Sequence, residues 1–113
     1  FKQELDDYLV EQLPQDTIRK KEEELFEQEE KEELNKLFIH LAKEPYYEGI
    51  ITTTSSELVS SDFIGDPHSC IIDLPLTDVV DGDMVKIIAW YDNEWGYSNR
   101  LVELAVDFGK GAL

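Results

Sequence analysis

The sequence of 113 residues contains one cysteine, one methionine and few basic side chains. Because Cys70 is alone, no disulfide can form within the chain, and this cysteine usage fits a reducing, cytoplasmic location. No apolar run approaches the roughly 20 residues of a membrane helix, and Phe1–Glu4 does not begin a signal peptide. The first residue is not methionine, which suggests a fragment, a processed chain or an engineered protein.

Basic residues are scarce relative to acidic ones. The chain has 10 lysines and arginines against 26 aspartates and glutamates, which gives a net charge of -16. This charge repels phosphate backbones and anionic lipids, so we expect no nucleic-acid partner and no membrane partner. Self-association and binding of a basic protein stay open. The hydrophobic fraction of 42% is ordinary for a globular protein, and the length fits one domain over residues 1–113.

Apolar residues at helical spacing predict two helices in the segment 1–44. The first covers residues 1–13. The second begins at Asp16 or Thr17, which can cap it, and runs to residue 44. It contains an apolar-free stretch, residues 27–33, for which a solvated face is favoured over a docking surface for a basic partner.

The pattern changes to β-branched runs in the segment 45–113. The element order α-α-β-β-β-β-α predicts an α+β fold, with a mostly antiparallel four-stranded sheet covered by helices. Asp92 or Asn93 is expected to cap the last helix, and Gly109 to end it. Turn signals lie at residues 65–67 and 81–82. The predicted strands are residues 48–54, 58–64, 69–74 and 84–91.

No pair of side chains makes a convincing catalytic centre, so no catalytic residue is predicted. Cys70 and His68 are two residues apart and could share one face of a strand, which would allow a thiol–imidazole pair. A strand cysteine beside a turn histidine is favoured, because activation of a nucleophile usually needs a third, orienting group.

Two sets of metal-ligating residue types occur, and neither has the spacing of a known site, so no metal is expected. The first matches no zinc pattern, and the second fails the spacing of a calcium loop. Structural turns are the favoured interpretation of both. The sets are Asp62, Asp66, His68 and Cys70, and Asp78, Asp81 and Asp83.

Four aromatic residues close to the end of the chain could form a binding surface. We expect two or more of them to lie in the core instead, because these residue types suit a sheet covered by a helix. The four are Trp90, Tyr91, Trp95 and Tyr97.

Two long stretches carry a family resemblance. They are LVSSDFIGDPHS at residues 58–69 and WYDNEWGYSNR at residues 90–100. On these stretches the chain resembles the C-terminal segment of glyceraldehyde-3-phosphate dehydrogenase. The resemblance is strong from residue 58, weaker over 42–57, and not recognisable over 1–41. It implies an antiparallel sheet of the catalytic domain and a last helix that packs on the nucleotide-binding domain.

The resemblance also implies an NAD-dependent oxidoreductase of glycolysis, and it indicates what this sequence lacks. The Gly-rich dinucleotide fingerprint, the Ser-Cys-Thr-Thr-Asn nucleophile motif and the partner histidine are absent. Asn93 matches the asparagine that hydrogen-bonds the nicotinamide carboxamide, and Tyr97 matches a tyrosine of the same pocket. Without the dinucleotide-binding half, we expect these two residues to hold no cofactor and the chain to have no catalytic activity of its own.

The helical segment 1–44 is rich in glutamate and poor in lysine, as idealised designed surfaces are. The leading hypothesis is a structural, chimeric or designed domain, in which unrelated helices seal the apolar face of the dehydrogenase-like residues 45–113. One alternative is a protein-interaction or self-associating helical module. Another is an inactive fragment of an NAD-dependent phosphorylating aldehyde dehydrogenase.

Overall fold

The computed structural model describes residue 4 and residues 15–111. The fold is α+β, as predicted. The predicted helix over residues 1–13 lies outside the described part except for residue 4, which is helical. The helices are α1 (Gln15–Ala42) and α2 (Asn93–Gly109), and the strands are β1 (Ile51–Thr54), β2 (Cys70–Asp73), β3 (Asp78–Val80), β4 (Met84–Lys86) and β5 (Ala89–Trp90).

The strands form two small sheets, so the prediction of one four-stranded, mostly antiparallel sheet is wrong. The first sheet has the order β1-β2-β5, with β1 parallel and β5 antiparallel to β2. The second is an antiparallel hairpin of β3 and β4. The apolar run at residues 84–91, predicted as one strand, forms β4 of the second sheet and β5 of the first. Between β4 and β5, the carbonyl of Ile88 accepts a hydrogen bond from the Asp73 N–H at 2.9 Å.

Residues 58–64 are not a strand, which corrects a second prediction. Ser60–Phe63 forms a short 3-10 helix instead. The Asp62 carboxylate accepts a hydrogen bond from the Val59 N–H at 2.8 Å, and such local side-chain bonds compete with a strand ladder. The segment is part of the crossover that joins the parallel strands β1 and β2.

The core is small and centres on β2, the middle strand of the first sheet. Phe63 stacks on Trp90 with ring centroids 5.3 Å apart and planes 12° apart. The Trp90 indole N–H donates to the carboxylate of the buried Asp73 at 2.9 Å. Among the described residues, the buried apolar side chains are Phe63, Ile71, Ile72, Leu74 and Val79.

Helix α1 lies across β1 and β3. Two side chains anchor it to the turn that follows β2: Lys31 Nζ donates to the Pro75 carbonyl at 3.1 Å, and Asn35 Nδ2 donates to the Leu74 carbonyl at 3.0 Å. No residue of α1 is fully buried, so the helix covers the strands without being enclosed itself. In residues 15–111, neither helix has an apolar stretch long enough to cross a membrane.

Within the described residues, helix α2 presents its apolar side chains to the surface, so α1 does not seal this part of the dehydrogenase-like segment as the leading hypothesis expected. Leu101, Leu104 and Phe108 are half or more exposed. Gly96 is the buried residue of this helix.

Candidate functional site

The N-terminus of α2 is held by Asp92, the predicted cap. One carboxylate oxygen accepts the Trp95 N–H at 3.0 Å, and the other accepts the Gly65 N–H at 2.9 Å. Gly65 has a φ of 83°, which favours glycine at this turn. The hydrogen bond from Gly65, then that from Trp95, hold the pKa of the Asp92 carboxyl below its ordinary value. Asp92 therefore ties the start of α2 to the turn at residues 65–67.

The first two turns of α2 are also anchored on the loop before β2 and on the turn before β1. A Cβ atom at Gly96 would lie 3.0 Å from the His68 carbonyl oxygen, so the helix backbone approaches this loop very closely. One turn later, Arg100 Nη1 donates to the Gly49 carbonyl at 2.9 Å and to Ser69 Oγ at 3.4 Å. These contacts hold the first two turns of α2 against the neighbouring loops.

Asn93 and Tyr97, the residues matched to a cofactor pocket, are the first and fifth residues of α2. Their spacing of four places them on one side of the helix, and both are exposed. Asn93 lines a shallow hollow of about 460 Å³ together with Ile64, Tyr91 and Glu94. Tyr97 does not line it.

The lining of this hollow can be compared with the chemistry of a dinucleotide. The Asn93 amide can both donate to and accept from a carboxamide. The charged residues of the lining are Asp92 and Glu94, both acidic, so they would repel a pyrophosphate. The lining therefore offers an amide that a carboxamide can pair with, and two carboxylates that disfavour phosphates.

Cys70 and His68 are not brought together as a catalytic pair. His68 Nδ1 lies 2.7 Å from an Asp66 carboxylate oxygen, and the described residues include no hydrogen bond between His68 and the Cys70 thiol. Cys70 is half-buried, and this burial raises the pKa of its thiol. A raised pKa lowers the thiolate fraction at neutral pH, so Cys70 is a poor nucleophile.

The two metal-ligating sets take part in turns. Asp62 and Asp66 accept backbone N–H groups at 2.8 and 2.9 Å. Asp81 and Gly82 have φ values of 54° and 75° and form the turn of the β3–β4 hairpin, which confirms the predicted turn at residues 81–82. Within residues 15–111, no three potential ligands cluster closely enough for a metal ion.

A sequence model of the family described as "Glyceraldehyde 3-phosphate dehydrogenase, C-terminal domain" matches residues 19–93. The chain belongs to this family. The glyceraldehyde-3-phosphate dehydrogenase of Streptomyces coelicolor is 52% identical over 79 residues, which cover 70% of this chain and 24% of that protein. A Staphylococcus aureus relative, glyceraldehyde-3-phosphate dehydrogenase 2, is 51% identical over 78 residues, which cover 69% and 22%. The Mycobacterium bovis enzyme is 49% identical over 79 residues, which cover 70% and 23%.

The match confirms the resemblance and moves its boundary. It begins at residue 19, so residues 19–41 of α1 lie within the region matched to the glyceraldehyde-3-phosphate dehydrogenase family. The predicted boundary at residue 42 is too far downstream, and a chimeric or designed origin receives no support. The chain spans about a quarter of the length of these relatives.

The expectation that at least two of the four aromatic residues lie in the core is wrong. Tyr91, Trp95 and Tyr97 are 58%, 49% and 68% exposed, whereas Trp90 is half-buried under Phe63. Sequence reasoning also missed Gly96 and Arg100 as anchors of α2. A glycine in the first turns of an apolar helix pattern was the available signal for the close contact.

The acid sensitivity of this anchor follows from Asp92. Because its pKa is lowered in the folded chain, the carboxylate stabilises the fold fully above the ordinary aspartate pKa of about 4, and this contribution is lost as the pH falls through the folded value. Asp92→Asn keeps one oxygen that can accept a hydrogen bond, and the side chain at this position no longer titrates. We expect the difference in urea midpoint between the two chains to be largest near neutral pH and to shrink below about pH 4.

A matched control for this titration is Asp107→Asn, an exposed change on the same helix. It removes the same charge without a capping bond, so its effect on the urea midpoint should be small at every pH. A difference between the unaltered chain and Asp92→Asn that stays constant from pH 7 to acid would contradict the assignment of Asp92.

Proposed function

We propose that this chain is the C-terminal segment of a glyceraldehyde-3-phosphate dehydrogenase, and that it does not catalyse the reaction by itself. The family match over residues 19–93 is the observation that carries this proposal. The nucleophile motif and the dinucleotide fingerprint of the family do not occur in this sequence. The thiol that is present, Cys70, is half-buried with a raised pKa, which does not suit a nucleophile.

The role of the segment is to complete the nicotinamide end of the cofactor site. NAD, when bound, accepts a hydride. The exposed amide of Asn93 would hydrogen-bond the carboxamide and so orient the ring, and Tyr97 would line the same side of α2. Asp92 and Gly65 support this by fixing the start of the helix. The chain orients the nicotinamide ring, and other segments of the enzyme hold the phosphates of NAD.

The exposed apolar face of α2 supports the same proposal. Leu101, Leu104 and Phe108 border a hollow of about 360 Å³ on this face. Contiguous exposed apolar side chains mark an interface. We propose that the nucleotide-binding domain of the dehydrogenase packs against this face, because the family resemblance implies that the last helix packs on that domain.

The first arm of the test is the chain alone. Purified chain supplied with NAD, glyceraldehyde 3-phosphate and phosphate should produce no NADH absorbance above a sample without protein, while a full-length relative assayed in parallel is active. Cys70→Ser should give the same result as the unaltered chain. Turnover that depends on Cys70 would contradict the proposal.

The second arm replaces the C-terminal part of the Streptomyces coelicolor relative, from the position matched to residue 19 to its end, by residues 19–113 of this chain. We expect the hybrid to be active. Asn93→Ala in the hybrid should raise the KM for NAD by roughly three- to tenfold, the value of one hydrogen bond. Asn99→Ala is the control, because it removes the same group from the same helix, where its amide bonds the Trp95 carbonyl. Equal KM values for the two variants would exclude the cofactor role of Asn93.

A further inference from the structure

A groove runs between helix α1 and the β3–β4 hairpin, away from Asn93. It consists of two hollows, of about 430 and 210 Å³, that share Gly82. The ring of Phe26 lies over the hairpin turn between them, with its Cε1 3.9 Å from the position of a Cβ at Gly82. We call this feature the α1–hairpin groove; its lining residues on α1 extend from Glu23 to Leu37.

The apolar lining of the α1–hairpin groove is open to solvent. Phe26, Leu37 and Val85 are 53%, 48% and 44% exposed. On α1 the lining residues recur at spacings of three and four, so they follow one face of the helix. An exposed apolar strip of this kind, rimmed by polar groups, is typical of a binding surface.

The rim of the groove is uniformly acidic. Its charged side chains come from both α1 and the hairpin. The ion pairs found among the described residues involve other carboxylates, those of Asp16, Glu44, Asp66 and Glu103. Among the residues that the structure describes, no cationic side chain lies within 4.0 Å of the rim carboxylates. The rim residues are Glu23, Glu27, Glu30 and Glu33 on α1, and Asp81 and Asp83 on the hairpin.

We propose that the α1–hairpin groove binds a basic amphipathic helix of a partner protein. The apolar floor takes the apolar face of that helix, and lysines or arginines beside this face meet the six rim carboxylates. The α1 positions from 23 to 37 span about 21 Å, the length of about four helical turns. This proposal uses none of the residues at the nicotinamide site.

Charge decides between occupants. A second copy of this chain carries the same net charge of -16, so pairing two grooves would set one acidic rim against the other. Nucleic acid and anionic membranes are repelled for the same reason. A basic amphipathic helix satisfies both the apolar floor and the acidic rim.

The probe is a fluorescein-labelled helical peptide of about 18 residues, made of leucine and lysine with leucines at i, i+3, i+4 and i+7. Its fluorescence anisotropy is followed with the 113-residue chain at about 50 mM and about 300 mM salt. We expect saturable binding of one peptide per chain, weakened about tenfold by the higher salt. A peptide of the same composition with scrambled order should bind about tenfold more weakly, because its leucines no longer share a face.

Two charge-reversal variants separate the groove from the net charge. Glu30→Lys with Glu33→Lys alters the rim, and Glu24→Lys with Glu32→Lys alters exposed positions outside it. Both change the net charge equally. The rim variant should weaken binding by about tenfold more than the control variant. Val85→Thr removes apolar floor at constant charge, and it should weaken binding several-fold while the circular dichroism of the chain is unchanged.

Several results would overturn the proposal. Absence of probe binding is one, and equal weakening by the two charge-reversal variants is another, because net charge alone would then attract the peptide. A self-associated species in sedimentation that the rim variant abolishes would assign the groove to a second copy. If the rim variant does not fold, Val85→Thr decides, and unchanged binding in that variant counts against the groove.

Discussion

Replacing Phe63 by alanine is expected to lower the free energy of unfolding by about 3–5 kcal/mol. The Phe63 ring is 4% exposed and stacks on Trp90 at 5.3 Å. It is one of few apolar side chains that residues 15–111 bury, so little else can close over the cavity. Domains of this size have about 5–15 kcal/mol in total, so the loss would remove a large share of the free energy of unfolding.

The matched control is the next residue. Ile64→Ala removes apolar groups that are 77% exposed, and its effect should stay within about 0.5 kcal/mol. Urea unfolding followed by tryptophan emission and by circular dichroism measures both variants. Equal losses for Phe63→Ala and Ile64→Ala would contradict the placement of Phe63 in the core.

This pair of variants also bears on the nicotinamide site. Phe63 packs on Trp90, and Asp92, the cap of α2, lies two residues after Trp90 in the chain. If Phe63→Ala is made in the hybrid enzyme described above, loosening of this support should raise the KM for NAD. Both Phe63 and Ile64 line the hollow beside Asn93, so the free energy of unfolding, and not this KM, is the quantity that separates the two variants.

The features that the sequence predicted correctly depend on local chemistry. An Asp-Gly pair with positive φ values forms the hairpin turn at residues 81–82. Asp92 caps α2 through a backbone N–H three residues later, and α2 ends at Gly109 as expected. Each of these depends on side chains within a few residues, which a single sequence displays directly.

The features that the sequence did not predict depend on distant partners. The apolar run at residues 84–91 looks like one strand, and only its pairing with β3 and then with β2 divides it between two sheets. Residues 58–64 have the composition of a strand, but Asp62 bonds the Val59 N–H and stabilises a 3-10 helix. Periodicity carries no information about which neighbour a strand will find.

The candidate sites show the same limit. Asn93 and Tyr97 were found through the family resemblance, and the structure adds their placement on one exposed side of α2. The acidic stretch at residues 27–33 was expected to be a solvated face. Its likeness to a docking surface becomes visible only when the fold sets Asp81 and Asp83 opposite it, more than forty residues along the chain.

Replacing Gly96 by valine is expected to lower the free energy of unfolding by about 2–3 kcal/mol. Its Cβ would lie 3.0 Å from the His68 carbonyl oxygen. The loop cannot easily retreat, because the Ser69 N–H next to it donates to the Ile50 carbonyl at 2.9 Å. In a solvated helix the same change would be slightly favourable, since glycine is a poor helix former. The clash therefore determines the sign.

Gly109→Val provides the comparison, because a Cβ at Gly109 meets no atom within 4 Å. That variant should change the free energy of unfolding by less than about 0.5 kcal/mol. Urea unfolding followed by circular dichroism reports both, and in Gly96→Val the first turns of α2 should separate from the loop before β2. Because Asn93 lies three residues before Gly96, this separation would also displace the amide that we assign to the cofactor. A Gly96→Val chain as stable as Gly109→Val would show that α2 is not seated on this loop.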